Sequence, residues 1–296
     1  MSLLLEQLLN GLQLGLTLFL ISAGLTLVFG IMNFLNLAHG SLYMLGAFLC
    51  ATFLAKSQNF AAAVAGAVFV TMVAAFILER GVIRFFYHRS HLDQVIATFG
   101  LIIFFNEFVR FVWGPVSLFA SVPPLLSGSV HVGGGATLPV YRIVLVCVGL
   151  TTAAAIWWTV ARTRAGILVR AVASQPFVMP ALGVDTNSLS TAVFVAGAGL
   201  AALAGALTAP LYSIEAGIGE PLLIKSFVVL VIGGLGSVLG AFVAALAVGV
   251  VDTVGRLLPG LVALPAAFGE AAIYVLMILV LYFRPQGLFG VRTSDG

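Results

Sequence analysis

Three polar side chains recur at three-residue intervals where the first long apolar run of this sequence ends. Asn33, Asn36 and His39 lie in the stretch GIMNFLNLAHG, which begins at Gly30 and ends at Gly40. On a helix this spacing brings them near one face, and inside a bilayer such groups must bond one another, the backbone or water. They could therefore line a polar substrate path beside the backbone of the two glycines. The competing use is interhelical hydrogen bonding, worth about 1 kcal/mol for each group.

A glycine-rich stretch supplies a second candidate for the substrate path. The residues GGLGSVLG, at 233–240, interrupt an apolar run that extends over 222–258. Each glycine weakens a helix by about 1 kcal/mol relative to alanine, so the sequence predicts two half-helices around an unwound centre. Gly233, Gly234 and Gly236 could line a path there, and close helix packing is the alternative.

Few charged side chains fall inside the apolar runs. Glu107 with Arg110, and Asp252 with Arg256, stand at helical spacings that allow each pair to neutralise itself near the membrane surface. Both pairs are predicted to be structural. Glu270 has no partner close to it in the sequence, so it is the candidate for a proton-coupled site if the protein were a secondary carrier.

The sequence contains no signature of a nucleotide site. Its two lysines are Lys56 and Lys225, and GEPLLIKS, at 219–226, lacks the Gly-Lys pair of a phosphate loop. If ATP drives the protein, it must be hydrolysed on another polypeptide, and this chain is expected to bind no cofactor. A membrane-embedded enzyme is a third option, but the sequence predicts no metal site and no nucleophile with a base.

Composition places the chain in a membrane. Hydrophobic residues make up 61% of its 296 residues, charged residues 8%, and the mean hydropathy is +1.19, values that exclude a water-soluble domain. At roughly 20 residues per spanning helix there is room for about eight or nine spans. The small net charge of +3 and the scattered basic residues argue against a nucleic-acid partner.

The sequence therefore predicts an all-α fold, a polytopic bundle in the lipid bilayer with about eight membrane segments. The predicted segments are 8–29, 41–55, 61–78, 95–113, 141–160, 189–212, the glycine-broken 222–258, and 268–283. The uncharged stretch 114–139 contains Pro123-Pro124 and three consecutive glycines, so it is predicted to be a loop on the outer face.

One polar island separates the two apolar halves. It spans 162–185, RTRAGILVRAVASQPFVMPALGVD, and carries three arginines and one acidic residue, which places it on the cytoplasmic side. Ser174 as a cap, Pro176 at a first helical position and Gly183 as a left-handed terminator predict a short surface helix. Pro180 argues against a regular one.

This island divides the chain into a first membrane half (1–161), a cytoplasmic loop (162–187) and a second membrane half (188–296). The resulting path puts the N-terminus outside and the C-terminus in the cytoplasm, if 222–258 enters the membrane and returns to the side it came from. Eight of the thirteen basic residues then fall inside. Segments 25–49 and 227–250 share an apolar approach, a glycine-bearing break and a small-residue helix, which predicts a parallel internal repeat.

Four ordered stretches together resemble the permeases of branched-chain amino acid ABC importers, the LIV type, over about Gly11 to Gly290. The stretches are FGIMNFLNLAHGSLYMLGAF at 29–48, TRAG at 163–166 with ALGVD at 181–185, VIGGLGSVLGAF at 231–242 and RPQGLFG at 284–290. At this length the chain resembles the shorter of the two permeases of such a system. The resemblance implies import of branched-chain amino acids across the bacterial cytoplasmic (inner) membrane by alternating access.

The resemblance also implies the partners and a docking segment. They are two cytoplasmic ABC ATPase subunits that use ATP, a paralogous permease or a second copy of this chain, and a periplasmic or external solute-binding protein. By the same resemblance 170–183 is the coupling helix that docks on the ATPase, with Arg170, Ala171, Ala181 and Gly183 at the matching positions. The stretch SQPFVMP carries less charge than the family commonly has there.

Two alternatives remain open at this point. The substrate of an ABC importer could be urea or a short amide, because discrimination in this family resides mainly in the binding protein. A secondary carrier driven by an ion gradient would instead transport without an ATPase and would depend on Glu270.

Overall fold

The chain folds into a helical bundle. The computed structural model describes residues 2–132, 136–176, 178–257 and 267–290. Its helices in this part of the chain are α1 Ser2–Met32, α2 His39–Ser57, α3 Phe60–Gly81, α4 His91–Trp113, α5 Val140–Arg162, α6 Arg164–Ser174, α7 Val178–Ala181, α8 Thr186–Thr208, α9 Gly219–Gly233, α10 Val238–Gly255 and α11 Ala267–Phe283. Short 3-10 turns lie at Ile83–Phe86 and Pro124–Leu126.

The predicted all-α membrane architecture is confirmed. Among the described helices, seven are long and apolar enough to cross a bilayer, and α11 adds a shorter apolar helix over Gly269–Phe283. The 15-residue α9 is also apolar but shorter than a typical span. The predicted loop 114–139 departs from pure loop structure, since it contains an antiparallel hairpin of β1 Ser129–Val132 and β2 Ala136–Pro139.

Side-chain caps fix where several helices begin. Asn59 accepts a hydrogen bond from the backbone of Ala62 and so starts α3 with only two residues between it and the end of α2. Such caps satisfy backbone donors that have no partner within the helix. The side chains of Ser90, Thr163, Asp185 and Ser237 cap α4, α6, α8 and α10 in the same way.

The bundle has an inner group and an outer group of helices. In the most apolar 18-residue stretch of α1 and of α8, 72% of the residues are buried. In the corresponding stretches of α4 and α5 only 17% are buried. Glycines bring the inner helices together: a Cβ on Gly24 would lie 2.7 Å from the Gly197 carbonyl oxygen, and one on Gly46 would lie 2.4 Å from the Ala202 carbonyl oxygen. Backbones can approach this closely only where side chains are absent.

Contacts between helices define two ends of the bundle. Helices α1 and α10 run antiparallel, because Gly11 packs on Val250 while Gly30 packs on Gly236. The end that holds Gly30 and Gly236 also holds α6, whose Arg170 bonds the last turn of α5, and is called the island end. The opposite end holds β1 and β2 and is called the hairpin end.

The second half of the chain follows the predicted course. Helix α9 runs to the island end and the chain turns at 234–237, so the predicted glycine break is confirmed. Helix α10 then returns to the hairpin end, which is the condition that the predicted path had left open. Helix α11 then runs back to the island end. Helices α1, α2 and α3 run in the same three directions as α9, α10 and α11, and a break at 33–38 separates α1 from α2. A parallel repeat requires this arrangement.

Candidate functional site

The first break is a short non-helical stretch, residues 33–38, called here the re-entrant segment because it leads from the island end back into the bundle. Asn33 is exposed and left-handed, with φ 47°, and it ends α1. Asn36 and His39 are each 1% exposed. The prediction that the three polar residues share one helix face is wrong, because the helix stops at Met32 and α2 starts only at His39.

The buried polar groups here have incomplete hydrogen bonding. Asn36 uses its Oδ1 to accept from the Ala38 amide at 3.0 Å, but its Nδ2 has no partner among the described residues, and neither has Nε2 of His39. The same holds for the hydroxyls of Thr26 on α1 and Ser226 on α9. A buried polar group without a partner costs about 1–3 kcal/mol. Sequence reasoning missed Thr26 and Ser226, since one hydroxyl in an apolar helix forms no pattern.

Gly40 marks a close contact between two helix starts. A Cβ on Gly40 would lie 2.6 Å from the carbonyl oxygen of Gly219, and one on Gly219 would lie 1.9 Å from that of Gly40. The first turns of α2 and α9 therefore touch through their backbones. Gly219 was not predicted, because its partner lies far away in the sequence.

The second break is built by backbone geometry. Gly234 and Gly236 have φ of 96° and 81°, which only glycine adopts without strain. The C-terminal segment, 284–290, covers this turn: Leu288 and Phe289 donate to the carbonyls of Ile232 and Gly233 at 2.8 and 3.1 Å. The RPQGLFG motif thus satisfies the orphan carbonyls at the end of α9.

The second break packs on the last turn of α1, just before the first break, at the island end. A Cβ on Gly30 would lie 3.3 Å from Cα of Gly236. The predicted path residues therefore form two groups. Gly30, Asn33, Gly233, Gly234 and Gly236 belong to the island end, whereas Asn36, His39 and Gly40 lie deeper in the bundle.

The polar island is not a single helix, which corrects the prediction of one coupling helix over 170–183. Arg170 and Ala171 belong to α6, which Thr163 caps and which ends at Ser174. Ala181 ends the four-residue α7, and Gly183 follows with φ 82°, as predicted for a helix terminator. Helix α6 was missed because Ser174 and Pro176 were taken as the start of the island helix, whereas Thr163 caps a helix that ends at Ser174.

The island surface combines apolar and basic groups. Leu182 is 71% exposed, and Ile167, Leu168 and Val178 are also exposed. The side chains of Arg162, Arg164 and Arg170 are exposed in the same segment. Exposed apolar side chains rimmed by charges are typical of a protein-docking surface.

Asp185 joins the island to the membrane bundle. Its carboxylate accepts bonds from the backbone amides of Asn187 and Ser188, both at 3.1 Å, and from the Ser188 hydroxyl at 2.5 Å. These bonds, the Ser188 hydroxyl first, hold the pKa of the Asp185 carboxyl below its usual range. The start of α8 at Thr186 is thereby fixed, three residues after Gly183.

Four charged residues form a network between α9, α10 and α11. Asp252 pairs with Lys225 at 2.9 Å and, as predicted, with Arg256 at 3.2 Å; Arg256 also lies 3.5 Å from Glu270. The predicted pair of Glu107 with Arg110 is present at 2.5 Å. Lys225 was missed, because its partner lies 27 residues further along the chain.

A cavity with several polar groups lies elsewhere. It measures about 250 Å³ at the hairpin end, between the starts of α1 and α5, and Glu6, Asn10 and Arg142 contribute its polar groups. None of the predicted path residues lines it. The packing around Asn36 and His39 is closed by comparison.

Sequence comparison decides the family. Residues 7–281 match the family described as branched-chain amino acid transport system / permease component. The chain belongs to this family. The permease is 33% identical to the high-affinity branched-chain amino acid transport system permease protein BraD of Pseudomonas aeruginosa, over 97% of this chain and 95% of that protein. It is 29% identical to the LivH permease proteins of Salmonella typhimurium and of Escherichia coli K12, with the same coverage. No solved structure matches the chain.

The family match confirms the predicted class. The protein is a permease component of a transport system, not an enzyme, and a multi-pass protein of the inner membrane. Three of the four stretches quoted above for the LIV-type resemblance fall within the matched region, and the fourth, RPQGLFG at 284–290, lies beyond it.

Proposed function

We propose that this permease is the transmembrane subunit of an ATP-driven importer that moves branched-chain, aliphatic amino acids into the cytoplasm by alternating access. The observation that carries the proposal is the match along nearly the whole chain to permeases named for branched-chain amino acid transport. Two ABC ATPase subunits, a sister permease or second copy of this chain, and an external solute-binding protein complete the assembly.

The island surface supports docking of the ATPase. It presents Leu182 and its exposed apolar neighbours beside three exposed arginines at one end of the bundle. The chain has no phosphate loop of its own, so ATP acts on the partner subunits. A switch from 1:99 to 99:1 between two conformations requires about 5.5 kcal/mol of differential binding, which the ATPase pair would deliver through this surface.

The substrate path runs, in this proposal, along the re-entrant segment and the start of α9. The glycine contact between Gly40 and Gly219 closes the bundle there. Separation of α2 from α9 would expose Asn36, His39 and Ser226, each of which has one side-chain polar atom without a partner among the described residues. The surrounding wall is apolar, which suits an aliphatic side chain.

The secondary-carrier alternative receives no support. It needs a proton-coupled Glu270, but this carboxylate is 67% exposed and lies beside Arg256. An importer of urea or short amides would differ mainly in its solute-binding protein, and the named relatives transport branched-chain amino acids.

Reconstitution tests the proposed function. The chain is purified with its co-expressed ATPase and sister permease, which mass spectrometry identifies, and placed in proteoliposomes with the binding protein. Uptake of radiolabelled leucine should require ATP and should stop when the ATPase carries an inactivating substitution. Leucine uptake by the purified chain alone, driven by a proton gradient, would contradict the proposal.

A further inference from the structure

A fully buried carboxylate lies at the island end of α3. Glu79 is 0% exposed and accepts two hydrogen bonds at 2.9 Å, one from the hydroxyl of Thr191 on α8 and one from the hydroxyl of Tyr87. Arg80, at 3.9 Å, is largely directed toward the surface. Burial raises the pKa of Tyr87, so its hydroxyl stays protonated and remains a donor. A buried carboxylate is costly unless such donors satisfy it.

Tyr87 connects this carboxylate to the re-entrant segment. Its ring packs edge-to-face on Phe34, with ring centres 5.6 Å apart and an interplanar angle of 78°. Phe34 is 2% exposed, so the contact is part of the core. Aromatic pairs of this geometry contribute about 0.5–1.5 kcal/mol beyond their buried area.

Gln94 of α4 holds the same segment through its backbone. Its Oε1 accepts from the Leu35 amide at 3.3 Å, and its Nε2 donates to the carbonyls of Phe86 and Arg89, also at 3.3 Å. Gln94 is buried. One side chain thus ties the re-entrant segment to the connection between α3 and α4.

Thr191 connects the carboxylate to the island. It lies on the second turn of α8, whose first turn is capped by Asp185, two residues after Gly183. The capped start of α8 thus connects the residues that follow α7 to Thr191. From there a continuous series of contacts leads through Glu79 and Tyr87 to Phe34.

We propose that Glu79, Tyr87 and Gln94 are positioning residues that transmit movement of the cytoplasmic island to the re-entrant segment and thereby control the path beside Asn36 and His39. The proposal rests on the proposed function of the island as the docking site of the ATPase. The re-entrant segment has the features of an element with two conformations, because side chains, and not helical backbone bonds, hold its Leu35 and Ala38 amides. A relay requires such an element, biased from both sites.

Hydrogen exchange of the full chain in lipid nanodiscs tests the linkage without any transport. The variants are Thr191→Val and Tyr87→Phe, each of which removes one donor to Glu79. Tyr141→Phe is the matched control, because it removes a buried hydroxyl that donates to the Leu207 carbonyl at the hairpin end. We expect the Leu35 and Ala38 amides to exchange about 3- to 10-fold faster in the two relay variants and at the wild-type rate in the control. Unchanged exchange in both relay variants would overturn the relay.

The reconstituted importer supplies the second readout, leucine taken up per ATP hydrolysed. We expect Thr191→Val and Tyr87→Phe to lower this ratio about 3- to 10-fold while ATP hydrolysis continues, and the double variant to be no worse than the poorer single one, because the links act in series. A loss of uptake and hydrolysis in equal proportion would show a merely structural role and would contradict the relay. Absence of leucine uptake in the wild type would refute the proposed function, while the exchange result would still decide the relay.

Discussion

The two breaks in the membrane helices have the same place in the predicted repeat but are built differently. At the first break, side chains hold the re-entrant segment: Phe34 is buried and Gln94 bonds the Leu35 amide. At the second break, the turn is formed by the backbone itself, because Gly234 and Gly236 have positive φ angles.

The difference predicts how each break responds when its neighbours move. A segment held by buried side chains can be released when their partners move. A glycine turn bonded to the C-terminal segment through Leu288 and Phe289 is fixed by geometry and acts as a rigid corner. We therefore expect the first break to be the moving one and the second to be its fixed counterpart.

The largest expected effect is removal of the aromatic anchor at the first break. Phe34→Ala should lower the free energy of unfolding by about 3–5 kcal/mol, because it leaves a cavity beside Tyr87. Leu235→Ala is the matched control at the second break, where the side chain is exposed and the change should stay within about 0.5 kcal/mol. Equilibrium unfolding in mixed micelles measures the free energy of unfolding of both variants. Equal losses of stability in the two variants would contradict the distinction between the breaks.

A smaller effect is expected from a methyl group at the second break. Gly234→Ala should cost about 2–3 kcal/mol, because φ is 96° and the new Cβ would lie 2.5 Å from the Gly290 nitrogen. Gly100→Ala on α4 is the control, since a Cβ there meets nothing within 4 Å and should stabilise the helix by about 1 kcal/mol. The midpoint temperature of thermal unfolding should therefore fall for Gly234→Ala and rise for Gly100→Ala. An unchanged midpoint for Gly234→Ala would contradict the rigid corner.

The smallest effect on stability, but a large one on transport, is expected at His39. Its Nε2 has no partner among the described residues, so His39→Leu removes the cost of an unsatisfied buried group. This gain offsets the packing that the change disturbs, and the free energy of unfolding should change by less than about 1 kcal/mol. Leucine uptake should fall about tenfold, equivalent to about 1.4 kcal/mol, if the imidazole lines the path. Normal uptake together with lower stability would show that His39 only packs.

The membrane helices could be predicted closely, because apolar runs and capping residues are local signals. The segment predicted at 141–160 is the helix Val140–Arg162, and the break predicted within 233–240 lies at 234–237. Gly183 was also recognised correctly as a left-handed terminator. Each of these features depends on residues that are neighbours in the sequence.

The candidate site could be predicted only in part, because its remaining members depend on contacts between distant residues. Gln94 bonds the Leu35 amide 59 positions away, and Thr191 bonds Glu79 112 positions away. Gly219 gains its role only from Gly40 on another helix. The equal spacing of Asn33, Asn36 and His39 suggested one helix face, but left-handed Asn33 ends the helix first.

The side of the membrane on which the island lies tests the account most directly. Leu182→Cys, in a Cys147→Ser background because Cys147 is exposed, is treated with a membrane-impermeant maleimide in right-side-out and inside-out vesicles. The account predicts labelling only in inside-out vesicles, and protection there when the ATPase is bound. Labelling in right-side-out vesicles would place the island outside the cell and would contradict coupling to a cytoplasmic ATPase.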